Sequence, residues 1–205
     1  PGSNDTLFHS ISIESKPRDI IAIKGNSCSG KTTLLKIIAG IIEVENEKLY
    51  FDDIEMSQIP ISLVRNNLFY MPQKIDLIDS TILTNIINSG EIKKDKFTSI
   101  LDQADLQDYI NSLPDGINTI LDNDIPERIK KKIAIARSIF LDGNIVLLDE
   151  PLHEMDKTGI LKFYNLFDNL IERNKTIFIA TNNEDIIGSA NIVIDLNSNE
   201  VKKLN

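Results

Sequence analysis

A loop of small residues, "GNSCSGKT", lies between two apolar segments and constrains the fold more than any other feature of the chain. Its residues, Gly25 to Thr32, fit the pattern G-x-x-x-x-G-K-S/T, in which backbone N–H groups wrap a polyphosphate at the start of a helix. The flanks agree, because "DIIAIKG" is typical of a buried strand and "KTTLLKIIAG" of a helix that ends at Gly40. The segment is therefore predicted to form a strand, a phosphate-binding loop and a helix.

Each residue of this loop has a predicted contact. Gly25 and Gly30 allow the backbone to approach phosphate closely, Lys31 reaches the β- and γ-phosphates, and the Thr32 hydroxyl ligates Mg²⁺. The predicted nucleotide-binding residues are Gly25, Asn26, Ser27, Cys28, Ser29, Gly30, Lys31, Thr32 and Thr33.

Length and charge exclude some classes of protein. The 205 residues suffice for one domain with a substantial core and an inserted subdomain. A net charge of −9 argues against a nucleic-acid partner, because such proteins usually present a basic face. No apolar run approaches the roughly 18 residues of a membrane helix, and one cysteine excludes an internal disulfide. We expect a domain that is soluble in isolation, in a reducing cytoplasm.

Apolar strand-like segments alternate with helical patterns, which indicates an α/β fold with a mainly parallel sheet. Residues 81–137 differ, because their apolar positions have a helical period throughout. We therefore predict a helical insertion there. The predicted strands lie at residues 19–24, 47–51, 144–148, 176–180 and 192–196.

The segment "NIVLLDEP" is an apolar strand that ends in two carboxylates. Taken alone it is ambiguous, because Asp-Glu after an apolar strand is also common at a helix start. The loop around Lys31 favours the functional interpretation. Asp149 is then predicted to hold Mg²⁺ through its hydration shell, and Glu150 to polarise the water that attacks the γ-phosphate.

The order of these segments resembles the nucleotide-binding domain of ABC transporters of the exporter type. Besides the two Walker motifs, "LFYMPQKIDLIDSTILTNI" resembles the Q-loop segment, with Gln73 at the Q-loop position, and "KKIAIARSIF" resembles the helix after the signature motif. The resemblance implies a P-loop NTPase (RecA-like) core with a mainly parallel sheet, an antiparallel β edge and an inserted α-helical subdomain. It divides the chain into an ATP-binding core, residues 1–75 and 138–205, and a helical subdomain, residues 76–137.

The resemblance also implies a function. The domain would bind ATP with Mg²⁺ and drive or gate transport by an attached or separate transmembrane domain, at the cytoplasmic face of the cell (inner) membrane. A second nucleotide-binding domain, in a homodimer or a heterodimer, would complete each ATP site. The implied metal-binding residues are Thr32, Gln73 and Asp149, and the implied catalytic residues are Glu150, Gln73 and Asn182.

Three family positions depart from the pattern. Residues 125–129 read "IPERI" in place of L-S-G-G-Q, so that Pro126 offers phosphate neither a hydroxyl nor an N–H. The D-loop position reads "PLHEMD", and Asn182 replaces the switch histidine. Asparagine can donate a hydrogen bond to a γ-phosphate, but it cannot carry a proton or a positive charge. We expect ATP binding to survive and intrinsic hydrolysis to be weak.

The helix after the signature position is predicted to begin with a capping box, with Asp124 as N-cap and Glu127 three residues later. Residues 130–132, all lysine, are predicted to be a solvated helix face. The aromatic residue that stacks on adenine in this family is expected to lie upstream of this chain, and Phe8 is a weaker alternative.

Two other functions are compatible with part of this sequence. The first is a non-hydrolysing regulatory ATP-binding module of a heterodimeric ABC assembly, which Asn182 and residues 125–129 favour and Glu150 opposes. The second, a P-loop kinase, leaves the segment around Gln73 and the helical insertion unexplained.

Overall fold

The computed structural model describes residues 11–43, 49–87, 93–122 and 125–204, and the chain divides into two compact units. The first unit comprises Pro1–Pro72, Gly143–Glu150 and Asn174–Asn205, and the second comprises Gln73–Asp142 and Pro151–Arg173. Phe8 and Asp124 lie outside the described residues. The predicted subdomain bounds, residues 1–75 and 138–205 against 76–137, stay a prediction.

All the strands described belong to the first unit. In chain order they are β1 (Ile20–Lys24), β2 (Tyr50–Phe51), β3 (Ile54–Glu55), β4 (Leu68–Met71), β5 (Ile145–Asp149), β6 (Thr176–Ala180), β7 (Ile192–Asp195) and β8 (Glu200–Lys203). Six of them form one sheet in the order β4-β5-β6-β1-β7-β8, and β2 pairs with β3 in a separate hairpin. The pairs from β4 to β7 are parallel, and β8 is antiparallel to β7. The predicted α/β fold, with its mainly parallel sheet and antiparallel edge, is confirmed.

The central strands are continuous apolar runs because both faces of a parallel sheet are covered. Ile21, Leu147 and Ile179 are 0% exposed. The helix after the phosphate loop packs Leu35 and Ile38 into the same cluster as Ile21 and Leu147. This packing fixes the loop at the carboxyl end of β1.

Three strands, β3, β4 and β8, were not predicted from the sequence, and β3 has only two residues. β4 has only four residues before Pro72, and β8 reads "EVKK", which is polar because it is an exposed edge. The predicted strand at residues 47–51 is described only from residue 49, and it contributes β2 to the hairpin and not to the main sheet. Apolar patterning therefore found the inner strands and missed the short or exposed ones.

The helices are α1 (Lys31–Ile38), α2 (Ile61–Asn67), α3 (Ile82–Ile86), α4 (Lys94–Gln103), α5 (Gln107–Asn111), α6 (Glu127–Leu141), α7 (Lys157–Glu172) and α8 (Glu184–Gly188), with 3-10 turns at Met56–Gln58 and Gly116–Asn118. The second unit is helical, since its described residues contain a single β-bridge, between Thr81 and Ile120, and no strand. The predicted helical insertion is confirmed. Across the described ranges, none of the helices has the length and apolarity needed to cross a membrane.

Candidate functional site

The loop between β1 and α1 has a tightly folded backbone. Cys28 and Gly30 adopt left-handed φ values of 65° and 99°. A Cβ placed on Gly25 would lie 2.4 Å from the Oγ of Ser29, so that no larger residue fits there without a shift. Asn26, Ser27 and Cys28 are exposed, whereas the residues from Ser29 to Thr33 are half-buried. Glycine is thus required at the two positions for different reasons. At Gly25 a neighbouring side chain leaves no room for a Cβ, and at Gly30 the backbone adopts a left-handed conformation.

The donors of this loop fit a phosphate group. α1 begins directly after Gly30, and no side chain of the described residues caps its N-terminus. The Oγ of Ser29 is buried and finds no hydrogen-bond partner in the described part of the chain. A bound anion could accept hydrogen bonds from both the free N–H groups of the helix N-terminus and the buried hydroxyl.

Lys31 lies across the loop. Its Nζ donates to the carbonyl oxygens of Gly25 at 2.6 Å and Asn26 at 3.3 Å, and lies 3.6 Å from Oε1 of Glu150. An ammonium group has three donors and no acceptor, so these bonds can be exchanged for phosphate oxygens. The lysine therefore lies within the loop, and its contact with the phosphates stays a prediction.

Thr32 and Asp149 meet at the end of β5. Thr32 Oγ1 donates to Asp149 Oδ2 at 2.7 Å, and Asp149 is 1% exposed. Hydroxyl and carboxylate oxygens are the ligands that Mg²⁺ prefers, completed by substrate phosphate and water. Among the described residues, no cluster of three acidic, histidine or cysteine side chains could hold a metal ion. The structure thus brings together residues 32 and 149, which lie far apart in sequence, and their role as Mg²⁺ ligands stays a prediction.

Glu150 follows Asp149 in a strained backbone conformation. Its φ is 46°, in the left-handed region that costs a non-glycine residue about 1 kcal/mol or more. Its N–H donates to the carbonyl oxygen of Ala180 at 2.9 Å, which ties the end of β5 to β6. Strain of this kind clusters at functional sites, and here it falls on the predicted catalytic carboxylate.

Tyr70 is a neighbour of Asp149 that the sequence did not reveal. Burial and the negative charge of Asp149 raise the pKa of the Tyr70 hydroxyl. The hydroxyl is buried without a hydrogen-bond partner in the described ranges. The sequence could not predict that Tyr70 lies near Asp149, because an aromatic residue in a short apolar strand is typical of ordinary core packing.

Two asparagines contact the first residues of the loop. Asn182 Oδ1 accepts from the Gly25 N–H at 3.2 Å, and its Nδ2 donates to the Gly25 carbonyl oxygen at 3.1 Å. Asn197 Oδ1 accepts from the Asn26 N–H at 3.0 Å. Asn182 was identified from the sequence, whereas Asn197 was missed because the polar turn "DLNSN" carries no specific pattern.

The turn that presents Asn197 is held by Asp195. Its Oδ1 accepts from the Asn197 N–H at 2.9 Å, and its Oδ2 pairs with Lys24 Nζ at 3.1 Å. Burial alone would raise the pKa of Asp195, but hydrogen bonds from Lys24 and from the N–H groups of Asn197 and Ser198 lower it below its ordinary value. The carboxylate therefore links the ends of β1 and β7 at neutral pH.

The signature position belongs to the second unit. Pro126 occupies the N-cap of α6, with φ −55° and ψ 137°, and Glu127 is the first helical residue. The predicted capping box is therefore wrong, because proline sets an extended residue at 126 and the helix starts later than the box requires. Glu127 Oε1 instead accepts from Lys130 Nζ at 2.8 Å. Gln73 also lies in the second unit and is exposed.

The lysines of α6 do not form the predicted solvated face. Lys131 is 1% exposed, and its ammonium donates to the carbonyl oxygen of His153. Lys132 pairs with Asp105 at 2.6 Å. The prediction fails because position 131 faces inward on α6, where a hydrogen bond satisfies the buried charge.

Comparison with known proteins places the chain in a family. A family model described as "ABC transporter" matches residues 8–153. An "ATP-dependent lipid A-core flippase" of Coxiella burnetii is 28% identical over 87% of this chain and 31% of its own length. The "Multidrug resistance-like ATP-binding protein MdlB" of Buchnera aphidicola is 28% identical over 97% of this chain and 34% of its own length.

Solved structures agree on the fold. The structure described as that of "a bacterial Atm1-family ABC exporter with ATP bound" matches 99% of this chain and 37% of its own, with a TM-score of 0.87 at 20% identity. The chain thus spans about a third of the length of these relatives. The family model covers well over half of the chain. The chain therefore belongs to the ABC transporter family, as an ATP-binding domain.

Proposed function

We propose that this domain serves an exporter-type ABC transporter. It binds Mg-ATP at residues 25–33 and uses it to drive or gate transport by an attached or separate transmembrane domain, at the cytoplasmic face of the cell membrane. The names of the relatives, a lipid A-core flippase and a multidrug resistance-like ATP-binding protein, support this type of transport, and both relatives are about three times as long as this chain. The observation that carries the proposal is the convergence of Lys31, Thr32 and Asp149 beside the uncapped start of α1.

The roles of the residues follow from this geometry. The loop N–H groups and Lys31 would hold the phosphates, in the place where parallel sheets bind ligands, at the carboxyl ends of their strands. Thr32 and Asp149, with Gln73 by resemblance, would hold Mg²⁺, which when bound neutralises charge on the phosphates. Glu150 would accept a hydrogen bond from the attacking water.

We also propose that intrinsic hydrolysis is weak. In the sandwich that the resemblance implies, the start of α6 faces the ATP of a second domain. Pro126 there has no N–H to donate, and Glu127 adds a carboxylate to the helix N-terminus that the family offers to phosphate. A partner domain with an intact signature could still complete the site around Lys31 and Glu150. A heterodimer is therefore the assembly that these residues suit best.

The second candidate function is a non-hydrolysing regulatory ATP-binding module in a heterodimeric assembly. The observation that favours it is the engagement of Asn182 with Gly25, since no histidine stands at the switch position. The two functions differ in one measurable property. A catalytic Glu150 predicts that Glu150→Gln lowers the hydrolysis rate of the complete assembly, whereas a regulatory site predicts no change.

The proposed function is tested by titrating the domain with ATP in a calorimeter, with and without Mg²⁺. We expect one site per chain. Asp149→Asn should weaken Mg-ATP about tenfold or more and leave metal-free ATP nearly unchanged, because asparagine keeps the oxygen that accepts from Thr32 but loses the charge that favours Mg²⁺. Asp53→Asn, an exposed position in the turn between β2 and β3, is the matched control and should bind like wild type. No binding by wild type would contradict the proposal.

A further inference from the structure

We propose that Asn182 is a positioning residue that fixes the start of the phosphate loop and acts on all nucleotides alike, with Asn197 in support. This inference rests on the proposed nucleotide binding and adds a role for two residues. Asn182 and Asn197 together are called the asparagine bracket below.

The bracket follows from the order of the strands. β1 lies between β6 and β7, and all three run parallel. The segments that leave β6 and β7 therefore flank the loop that leaves β1. Each supplies one asparagine, which bonds to Gly25 on one side and to Asn26 on the other. The first two residues of the loop are thus held from both sides by side chains of the same unit.

The bond pattern at Gly25 is specific for an amide. Asn182 satisfies the N–H and the carbonyl oxygen of the same residue, at 3.2 and 3.1 Å. A carboxylate has only acceptors and could meet the N–H alone. The donor and the acceptor of a neutral imidazole lie on opposite edges of the ring and cannot serve one peptide residue together. Asparagine at this position is therefore suited to hold the backbone of Gly25.

Lys31 shares this anchor. Its Nζ donates to the Gly25 carbonyl oxygen, which also accepts from Asn182 Nδ2. When Lys31 turns to the phosphates, the carbonyl oxygen loses one donor and keeps the other. The bracket thus allows the lysine to move while the loop stays in place. The entropic cost of ordering the loop on binding is lower as a result.

The second half of the bracket is itself anchored. Asp195 accepts from the N–H of Asn197 with one oxygen and pairs with Lys24, at the end of β1, with the other. The turn that presents Asn197 is therefore tied to the strand that carries the loop. The hydrogen bond from the Asn26 N–H to Asn197 is therefore supported by the packing of β1 against β7.

The experiment compares the affinities for Mg-ADP and Mg-ATP, because a loop-positioning residue affects both and a γ-phosphate contact affects ATP alone. Asn182→Ala should weaken both nucleotides about five- to tenfold by the same factor, and Asn197→Ala should weaken both about twofold. Asn144→Ala, an exposed asparagine just before β5, is the matched control and should bind like wild type.

A second measurement does not depend on binding. Amide hydrogen exchange of Gly25 in the nucleotide-free protein, followed by NMR, should be faster in Asn182→Ala than in wild type or Asn144→Ala. Binding by wild type with a fivefold greater loss for ATP than for ADP in Asn182→Ala would overturn the bracket alone. Unchanged affinities and unchanged exchange would overturn it as well. Wild type that binds neither nucleotide would overturn the proposed function, and the bracket with it.

Discussion

Replacing Lys31 by alanine should lower the affinity for Mg-ATP at least about a hundredfold. The lysine is the cation closest to the start of α1 in the loop pattern, and charge-assisted hydrogen bonds to phosphate contribute about 1.5–3 kcal/mol each. Loss of two such bonds corresponds to a factor of a hundred or more at about 1.4 kcal/mol per tenfold change. Calorimetric titration with Mg-ATP measures the effect.

Lys36→Ala is the matched control for this variant. Lys36 is a second lysine of α1 and lies in its last turn. Replacing it by alanine removes the same charge as Lys31→Ala but leaves the loop unchanged. It should bind Mg-ATP like wild type. Equal isotherms for wild type and Lys31→Ala, with both proteins folded by circular dichroism, would mean that nucleotide is not held by this loop.

Restoring small residues at the signature position should raise ATP hydrolysis at least about tenfold. The triple variant Pro126→Ser, Glu127→Gly, Arg128→Gly adds a hydroxyl and one backbone N–H donor, both at position 126, and removes the carboxylate of Glu127. That carboxylate, about 5 Å from a phosphate charge at an effective dielectric near 20, would repel it by about 3 kcal/mol. Part of this is offset by Lys130, which pairs with Glu127. Ile125 and Ile129 are left unchanged because both are buried.

The measurement is the rate of phosphate release as a function of protein concentration, at saturating Mg-ATP. Wild type should be slow, with a rate proportional to protein concentration. The variant should be faster, with a rate that rises more steeply because two domains must meet around the nucleotide. Adding Glu150→Gln to the triple variant should abolish the gain. A wild-type rate equal to that of the triple variant would show that residues 125–129 do not limit turnover.

The parts of the structure that repeat a chemical pattern were predictable from the sequence. Buried parallel strands must be apolar on both faces, so strands could be predicted at the apolar runs "IIAI", "IVLLD" and "TIFIA". The phosphate loop has a fixed spacing because its backbone must wrap an anion. Thr32 and Asp149 could each be assigned to Mg²⁺ from the motif that contains it, and this assignment stays a prediction.

Features that depend on tertiary neighbours were not predictable. Asn197 reaches the loop only because β7 lies beside β1, and strand order cannot be read from hydropathy. Lys131 has the residue type of a surface position, yet an inward position on α6 and a carbonyl acceptor allow it to be buried. The start of α6 was misplaced because Pro126 moved it past the expected cap.

The most direct test uses Cys28, the chain's only cysteine, which is exposed in the phosphate loop. Its rate of alkylation by iodoacetamide, followed by mass spectrometry, reports on this loop alone. Saturating Mg-ATP should slow alkylation at least about fivefold in wild type, because phosphates held by the neighbouring N–H groups cover the thiol. Lys31→Ala should show no protection at the same concentration. Equal rates with and without Mg-ATP in wild type would contradict the claim that the segment "GNSCSGKT" holds the phosphates of ATP.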